Sequence, residues 1–382
     1  MLKKIVLAAA IAAFIFTGCN RPAETGQRAG AAERITRDRS GFAVSLATPL
    51  SAEDAAIWNN ISERSRNPDK IVLRISTVGR SFDESPPSRS NRQFLIELKR
   101  RLGDRIEIQI FYSGILGTTA DQILGGLQAG GLFEMVDYNI GAFAEYTNAF
   151  MPLDVMFLIP DLESGLKVLL GEPGEIMRQK CVDDTGLLVL VYTNIGMRHM
   201  TTSRRPIRSV SDIEGLKIRV QNNPLHILAI RQLGAAPTPI AFAELFTALQ
   251  QGVVDGQENP ISNIWDQNYM EVQNFLTFTN HLFTAGTLTV NNAWFNRLSP
   301  EVQKIFWESA KIAEEYTAKE LTKVEQGLIQ EISKAMELIE LPPQEFNRFR
   351  EISIQTWGEA AERIGRDYFE RVRASIERTL AN

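Results

Sequence analysis

The sequence predicts an α/β fold with parallel strands, arranged as two domains or one large bilobed unit. Three observations predict it. Short β-branched apolar runs alternate with amphipathic segments of helical period, the pattern of strand–helix–strand units. The chain is 382 residues long, more than one hydrophobic core usually serves. A single amphipathic helix beginning after Ser299 runs for over thirty residues, about 50 Å at 1.5 Å per residue, longer than one small lobe is wide.

The elements follow in chain order. Lys3 and Lys4 precede an apolar run from Ile5 to Phe16. At about 12 residues the run falls short of the ~20 a helix needs to cross a bilayer, and it has the layout of a secretory signal, which is set aside from fold reasoning. Phe16-Thr17-Gly18-Cys19 then resembles the bacterial lipoprotein signal box, in which the cysteine is lipidated and becomes the new N-terminus. Residues 1–18 are expected as a lipoprotein signal peptide and Cys19 as the lipidation site, with an ordinary secretion signal as the alternative. The only other cysteine is Cys181, so a lipidated Cys19 leaves no disulfide within the chain. Residues 19–70 read as a polar tether with a short helix at 51–65, capped by Ser51.

The globular body starts with a strand at 71–76, a Pro/Ser-rich loop at 83–90, and a helix at 91–102 ended by Gly103. A strand at 105–112 and a helix at 119–129, stopped by Gly130-Gly131, continue the alternation. Further on, 187–192 is a continuous apolar strand, Ser211 to Glu214 has capping-box spacing, and 216–220 is another strand. A helix at 242–251 is closed by Gly252. The long helix has Ser299 as N-cap, Pro300 at its first position and Glu301 against the dipole, and its apolar face extends to about Leu338. Residues 343–380 are helical and amphipathic.

Composition narrows the function. Hydrophobic residues make up 44% and charged residues 23%, which excludes collagen-like, low-complexity and disordered classes. A net charge of −5 argues against a nucleic-acid partner, since phosphate binding needs a basic face. The three histidines, His199, His226 and His281, are far apart in sequence, which disfavours zinc and most histidine catalysis. The chain has no Gly-x-Ser-x-Gly elbow and no P-loop, so no enzymatic activity and no cofactor are expected.

Arg219 is the most informative side chain. It sits near the C-terminal end of the 216–220 strand, with Ile218 and Val220 pointing the opposite way. Ligands of open α/β sheets bind beyond those strand ends, and arginine pairs with a carboxylate through two charge-assisted hydrogen bonds. Position alone leaves an internal salt bridge open. Asp255 and Glu258, three residues apart around Gly256, suit turn or hinge contacts better than acid/base catalysis, and Phe242 can be read as a core anchor.

The ordered string Gly-Leu-Lys-Ile-Arg219-Val, Pro-Thr-Pro-Ile-Ala-Phe242-Ala-Glu, Ala-Leu-Gln-Gln-Gly-Val-Val-Asp-Gly256-Gln-Glu-Asn259-Pro and Glu-Val-Gln-Asn-Phe-Leu-Thr-Phe-Thr-Asn280-His281 resembles the substrate-binding proteins of TRAP transporters (tripartite ATP-independent periplasmic transporters). The likeness covers roughly residues 105–335. It implies a two-lobed periplasmic-binding-protein fold with crossing strands and a long helix spanning both lobes. Lobe 1 is then expected as 71–196 plus 285–324, and lobe 2 as 197–284 plus 325–382. The resemblance implies ligand-binding roles for Arg219 (substrate carboxylate), Arg198 (a second cleft arginine), Phe242 (packing on the ligand), Asn259 and Asn139. It further implies a small organic acid as ligand, the small and large TRAP membrane subunits as partners, and a periplasmic location, held to a membrane by the N-terminal lipid.

Two features depart from the family pattern. Residues 80–88 are inserted after the first strand, and Ile115 replaces the common polar residue before Leu-Gly. Both fall in lobe 1, which supplies half of the pocket wall, so the choice of solute is left open. A receptor for an ATP-driven importer, or a sensory or scaffold protein on the same fold, are the alternatives.

Overall fold

The computed structural model describes residues 49–82 and 86–381. The expected signal peptide, Cys19 and the tether up to residue 48 lie outside the described residues, as do residues 83–85 of the inserted loop.

Among the described residues nine strands form one mixed sheet: β1 (Ile71–Thr77), β2 (Ile106–Phe111), β3 (Met135–Asn139), β4 (Leu187–Thr202), β5 (Lys217–Val220), β6 (Ala236–Pro239), β7 (Gly256–Pro260), β8 (Phe275–Asn291) and β9 (Glu337–Glu340). The spatial order is β2-β1-β3-β8-β4-β7-β5-β6, with β9 beside β8. The alternation read from the sequence holds at both ends. β1 pairs in parallel with β2 and β3, and β5 pairs in parallel with β6 and β7. Helix Pro86–Leu102 makes the crossover between β1 and β2.

What joins the two ends is the antiparallel pair β4 and β8, 16 and 17 residues long. The last part of β8 pairs with β3 on one side and with the first part of β4 on the other. The last part of β4 pairs with β7, and the first part of β8 pairs with β9. The same two strands therefore belong to both halves, which makes them the crossing strands expected of a two-lobed binding protein. Their register slips between Thr193 and Gly196, near the midpoint, where the sheet passes from one half to the other.

The long helix, Pro300–Ile332, lies along both halves. Its N-terminal part buries Val302, Phe306 and Ala313 against Phe94 and Leu98 of helix Pro86–Leu102. Its C-terminal part buries Val324, Leu328 and Ile332 with Ile261, Trp265 and Leu276 of the other half. Ser299 caps it, its hydroxyl accepting from the Val302 amide.

Several expectations are corrected. The long helix ends at Ile332 rather than near Leu338, because Leu338 and Ile339 pair with β8 as strand β9 and gain sheet hydrogen bonds. The capping box is Ser209 with Asp212, two residues earlier than the Ser211–Glu214 pair. Helix 91–102 begins at Pro86, since a proline in the first helical turn lacks only an N–H that would have no partner there. Helix Arg366–Ala381 packs Val372 and Ile376 against Met177 and Leu187, and Arg378 pairs with Glu172, all residues expected in lobe 1.

Close strand packing makes one clear stability test. Gly256 opens β7 between Thr202 of β4 and Ile218 of β5, and a methyl group there would overlap the Thr201 carbonyl oxygen, a backbone atom. Gly256→Ala is expected to cost about 1–3 kcal/mol in urea unfolding, as overpacking does. A loss below about 0.5 kcal/mol, the scale of an ordinary surface change, would show that β4 and β7 separate freely here.

Candidate functional site

A cavity of about 480 Å³ opens between the two halves of the sheet. One wall comes from the end of β3 and the loop after it, with Asp137, Tyr138, Asn139 and Glu145. The other comes from the end of β5, the β6 exit and β7, with Arg219, Gln221, Asn222, Phe242 and Asn259. Most of these groups stand at or just beyond the C-terminal ends of parallel strands, where an α/β sheet presents its ligands.

Alternation along β5 aims Arg219. Ile218 and Val220 bury into the core formed with helix Pro224–Gln232, so Arg219 faces away from that core and lines the cavity. Its Nε and Nη2 both donate to the Ile240 carbonyl, at 2.9 and 2.7 Å. Nη1 is buried without a partner. Among the described residues no carboxylate lies within ion-pair distance of Arg219, so the internal salt bridge left open by the sequence is not formed. The Ile240 carbonyl occupies the Nε side of the guanidinium, which leaves the edge between Nη1 and Nη2 for a ligand. Burial lowers the pKa of Arg219 to about 10 against the raising effect of the nearby Tyr269 phenol and Glu258 carboxylate, and the group remains a cation at neutral pH.

Arg198, expected as a second cleft arginine, is not among the residues that line the cavity. It is fully buried, and its Nε and Nη2 grip the Glu258 carboxylate, with Nη2 at 2.9 Å from Oε1. A cation already neutralised by a buried anion has little left to offer a ligand directly. Nη2 also donates to the Glu258 carbonyl oxygen, Nη1 is buried without a partner, and the link to the cavity is indirect. Nη2 donates at 3.1 Å to Oδ1 of Asn259, which lines the cavity, so Arg198 positions a wall residue.

Glu258 is the centre of a buried charged cluster. Besides Arg198 it stands 3.6 Å from Nδ1 of His226 and 3.4 Å from Nε2 of His281. Burial alone would raise its pKa, but Arg198 and the two histidines outweigh burial and hold the carboxyl well below its usual range. His226 continues the chain to Asp154 at 3.0 Å. Burial opposes its protonation, yet Asp154 and Glu258 together raise its pKa. Asn223 donates to the Gly141 carbonyl at 3.0 Å and to Asp154 at 2.7 Å. These bonds tie the loops after β3 to helix Pro224–Gln232 across the junction of the halves. Asp255, in contrast, accepts from the Lys217 amide at 2.9 Å and serves the turn before β7.

The remaining expected residues do come together. Phe242 lines the cavity half-buried and belongs to none of the core clusters that hold its neighbours Ile240 and Leu245, so it is a wall residue and not a core anchor. Asn139 accepts from the Gly141 amide at 2.9 Å and from Gln221 at 3.4 Å, and donates to Thr284 at 3.2 Å. It thus meets the opposite wall directly. His281 bonds Thr279 at 2.7 Å and is structural, and Trp265 is packed into the core.

Sequence reading missed Asp137, Gln221 and Asn222. Gln221 and Asn222 follow Arg219 by two and three residues, at the strand end where the wall continues. Asp137 lies two before Asn139 on the same strand, so the period of two puts both on one face. Its carboxylate accepts from the Thr77 hydroxyl at 2.8 Å, and burial raises its pKa to about 6 against the bonds from Thr77 and Asn91. Among the described residues no group of His, Cys, Asp or Glu is arranged to hold a metal ion.

Comparison with known proteins agrees with this geometry. Residues 83–363 match the family described as bacterial extracellular solute-binding protein, family 7. The chain is 34% identical over 238 residues to the 2,3-diketo-L-gulonate-binding periplasmic protein YiaO of Escherichia coli, covering 62% of this chain and 72% of that one. It is 27% identical over 335 residues to the C4-dicarboxylate-binding periplasmic protein DctP of Vibrio cholerae, covering 87% and 98%. Among solved structures it is similar to a TRAP periplasmic solute binding protein from Polaromonas bound to D-erythronate, with TM-score 0.74, 31% identity and coverage of 80% of this chain and 99% of that one.

Proposed function

Because the chain belongs to family 7 of the bacterial extracellular solute-binding proteins, the TRAP transporter receptors, we propose that it captures a small organic acid between its lobes by hinge closure and hands it to the TRAP membrane subunits. The observation that carries this reading is Arg219, a buried cation at the cavity wall with Nη1 unpartnered and, among the described residues, no carboxylate within ion-pair distance. A carboxylate docked on the free Nη1–Nη2 edge supplies that counter-charge through two charge-assisted hydrogen bonds. Asn259 and Asn139 add polar contacts, and Phe242 covers an apolar part of the solute. A ligand that touches both walls binds the closed form better than the open one and shifts the population toward it.

Lobe 1 is proposed as 71–196 with 285–324, and lobe 2 as 197–284 with 325–365, helix Arg366–Ala381 being counted with lobe 1 on its packing. A lipid on Cys19 would hold the receptor at a membrane of the periplasm, beside its permease. Related proteins bind 2,3-diketo-L-gulonate, C4-dicarboxylates and D-erythronate, and all of these are carboxylates, the chemistry Arg219 would recognise here. Native mass spectrometry of the freshly purified protein is expected to show a carried-over acid that leaves on mild unfolding. A panel of organic acids that produces no shift in melting temperature, with no carried-over mass, would overturn the proposal.

A further inference from the structure

The anchor for one carboxylate leaves the rest of the solute unspecified, and the charges of the walls bear on it. Among the described lining residues Arg219 is the one cation, against the three acids Asp137, Glu145 and Asp266. Arg198 stands behind the wall, already paired with Glu258, and Arg80, exposed on the loop after β1, is not part of the lining, although its charge acts on Tyr269. The other polar lining groups are largely carboxamides, Asn139, Gln221 and Asn259 among them.

A second carboxylate on the solute finds no cation here and meets acids, a like-charge clash that disfavours it. Hydroxyl groups find the reverse. They donate to carboxylates in charge-assisted bonds and exchange hydrogen bonds with carboxamides, which both donate and accept. Asp137 is the best placed of the acids. It projects from the end of β3 into the cavity, on the same face as Asn139, and is steadied by Thr77 at 2.8 Å. Each carboxylate oxygen accepts two bonds, so these contacts leave acceptor capacity for a ligand. Gln221 Oε1, from the opposite wall, is a second buried acceptor without a partner.

Resting on the reading of Arg219 as the carboxylate anchor, we infer that the cleft selects a polyhydroxylated monocarboxylate over a dicarboxylate, with Asp137 as the specificity-determining residue that accepts a solute hydroxyl. The test uses acid pairs that differ only in oxidation of the far terminal carbon: D-erythronate with meso-tartrate, D-gluconate with D-glucarate, and D-galactonate with galactarate, with succinate added. Titration calorimetry on the intact protein is expected to find at least one monocarboxylate bound, and its dicarboxylate partner at least tenfold weaker. Asp137→Asn is expected to shrink that ratio about tenfold, by weakening the monocarboxylate and admitting the dicarboxylate, with the empty protein's melting temperature unmoved. If a dicarboxylate binds as tightly as its partner, and Arg219→Ala abolishes that binding, the inference fails while the carboxylate reading stands. If no acid of the panel binds, the carboxylate reading fails and takes the inference with it. An unchanged ratio in Asp137→Asn removes Asp137 from the role. Should that variant fold poorly, the unmutated protein's ratios still decide the solute class, and Glu145→Gln, on the same wall, tests the acidic repulsion by the same shift.

Discussion

Arg219→Ala is expected to abolish ligand-dependent thermal stabilisation while leaving the empty protein folded. The two effects separate because of where the guanidinium's hydrogen bonds go. Among the described residues it bonds only the Ile240 carbonyl and forms no ion pair, and the nearby acid Glu258 has Arg198 as its partner. Its loss therefore frees one carbonyl and strands no anion, and it removes the burden of a buried cation. The ligand loses far more. Hydrogen bonds to charged groups contribute about 1.5–3 kcal/mol each, so two of them are worth ~3 kcal/mol or more, at least about 100-fold in Kd. Arg219→Lys keeps the charge but replaces a planar edge by a point, and one ammonium cannot hold the Ile240 carbonyl and both carboxylate oxygens in the same geometry. Its Kd is expected to rise at least tenfold by calorimetry. Parent-like binding by Arg219→Lys would remove the two-pronged contact, and collapse of the empty Arg219→Ala protein would make the arginine structural.

Arg219 was visible in the sequence because strand alternation fixes which way it points, and the apolar Ile218 and Val220 declare the core side. Arg198 was not, for a physical reason: alternation tells a face but not a partner. Its partner is supplied by β7, whose Pro260 stands opposite Arg198 in the ladder, bringing Glu258 within reach of the guanidinium. That pairing is long-range and leaves no local trace. The end of the long helix was misplaced on similar grounds. Residues 333–338 carry no strong breaker, and only the neighbouring β8 draws 337–340 into a strand. β8 itself, rich in alternating threonines, has a strand's composition, but its length follows from belonging to both halves at once. Asp137 escaped notice because an aspartate at a strand end is ordinary, and only the fold brings it to the same cavity as Arg219.

Glu258→Gln is expected to be the most destabilising of the single changes, about 3–5 kcal/mol in urea unfolding, the usual consequence of breaking a buried ion pair from one side. Glutamine is nearly isosteric, so the loss is electrostatic. The Arg198 guanidinium stays fully buried with no anion, and His226 and His281 lose the carboxylate that faces them. The pH dependence follows from the same contacts. Glu258 is held well below its ordinary 4.5 in the folded protein, so its contribution is complete above that value and fades as pH falls through the lower, folded one. His226 has the opposite sense. Its raised pKa gives a contribution that is complete below its ordinary 6.5 and is lost as pH rises through the folded value. Glu258→Gln should therefore flatten the acid limb of the stability profile, and on the alkaline side it should weaken the loss that His226 causes, with Asp154 left as the remaining anion. Binding should also weaken, since Arg198 holds Asn259 at the cavity wall. Replacing both partners, as Arg198→Met with Glu258→Leu, removes the stranded cation and is expected to recover part of the stability but not the affinity. A Glu258→Gln protein within about 1 kcal/mol of the parent would mean that the buried guanidinium finds another acceptor, and Arg198 would then have to be reconsidered as a group that turns toward the cleft.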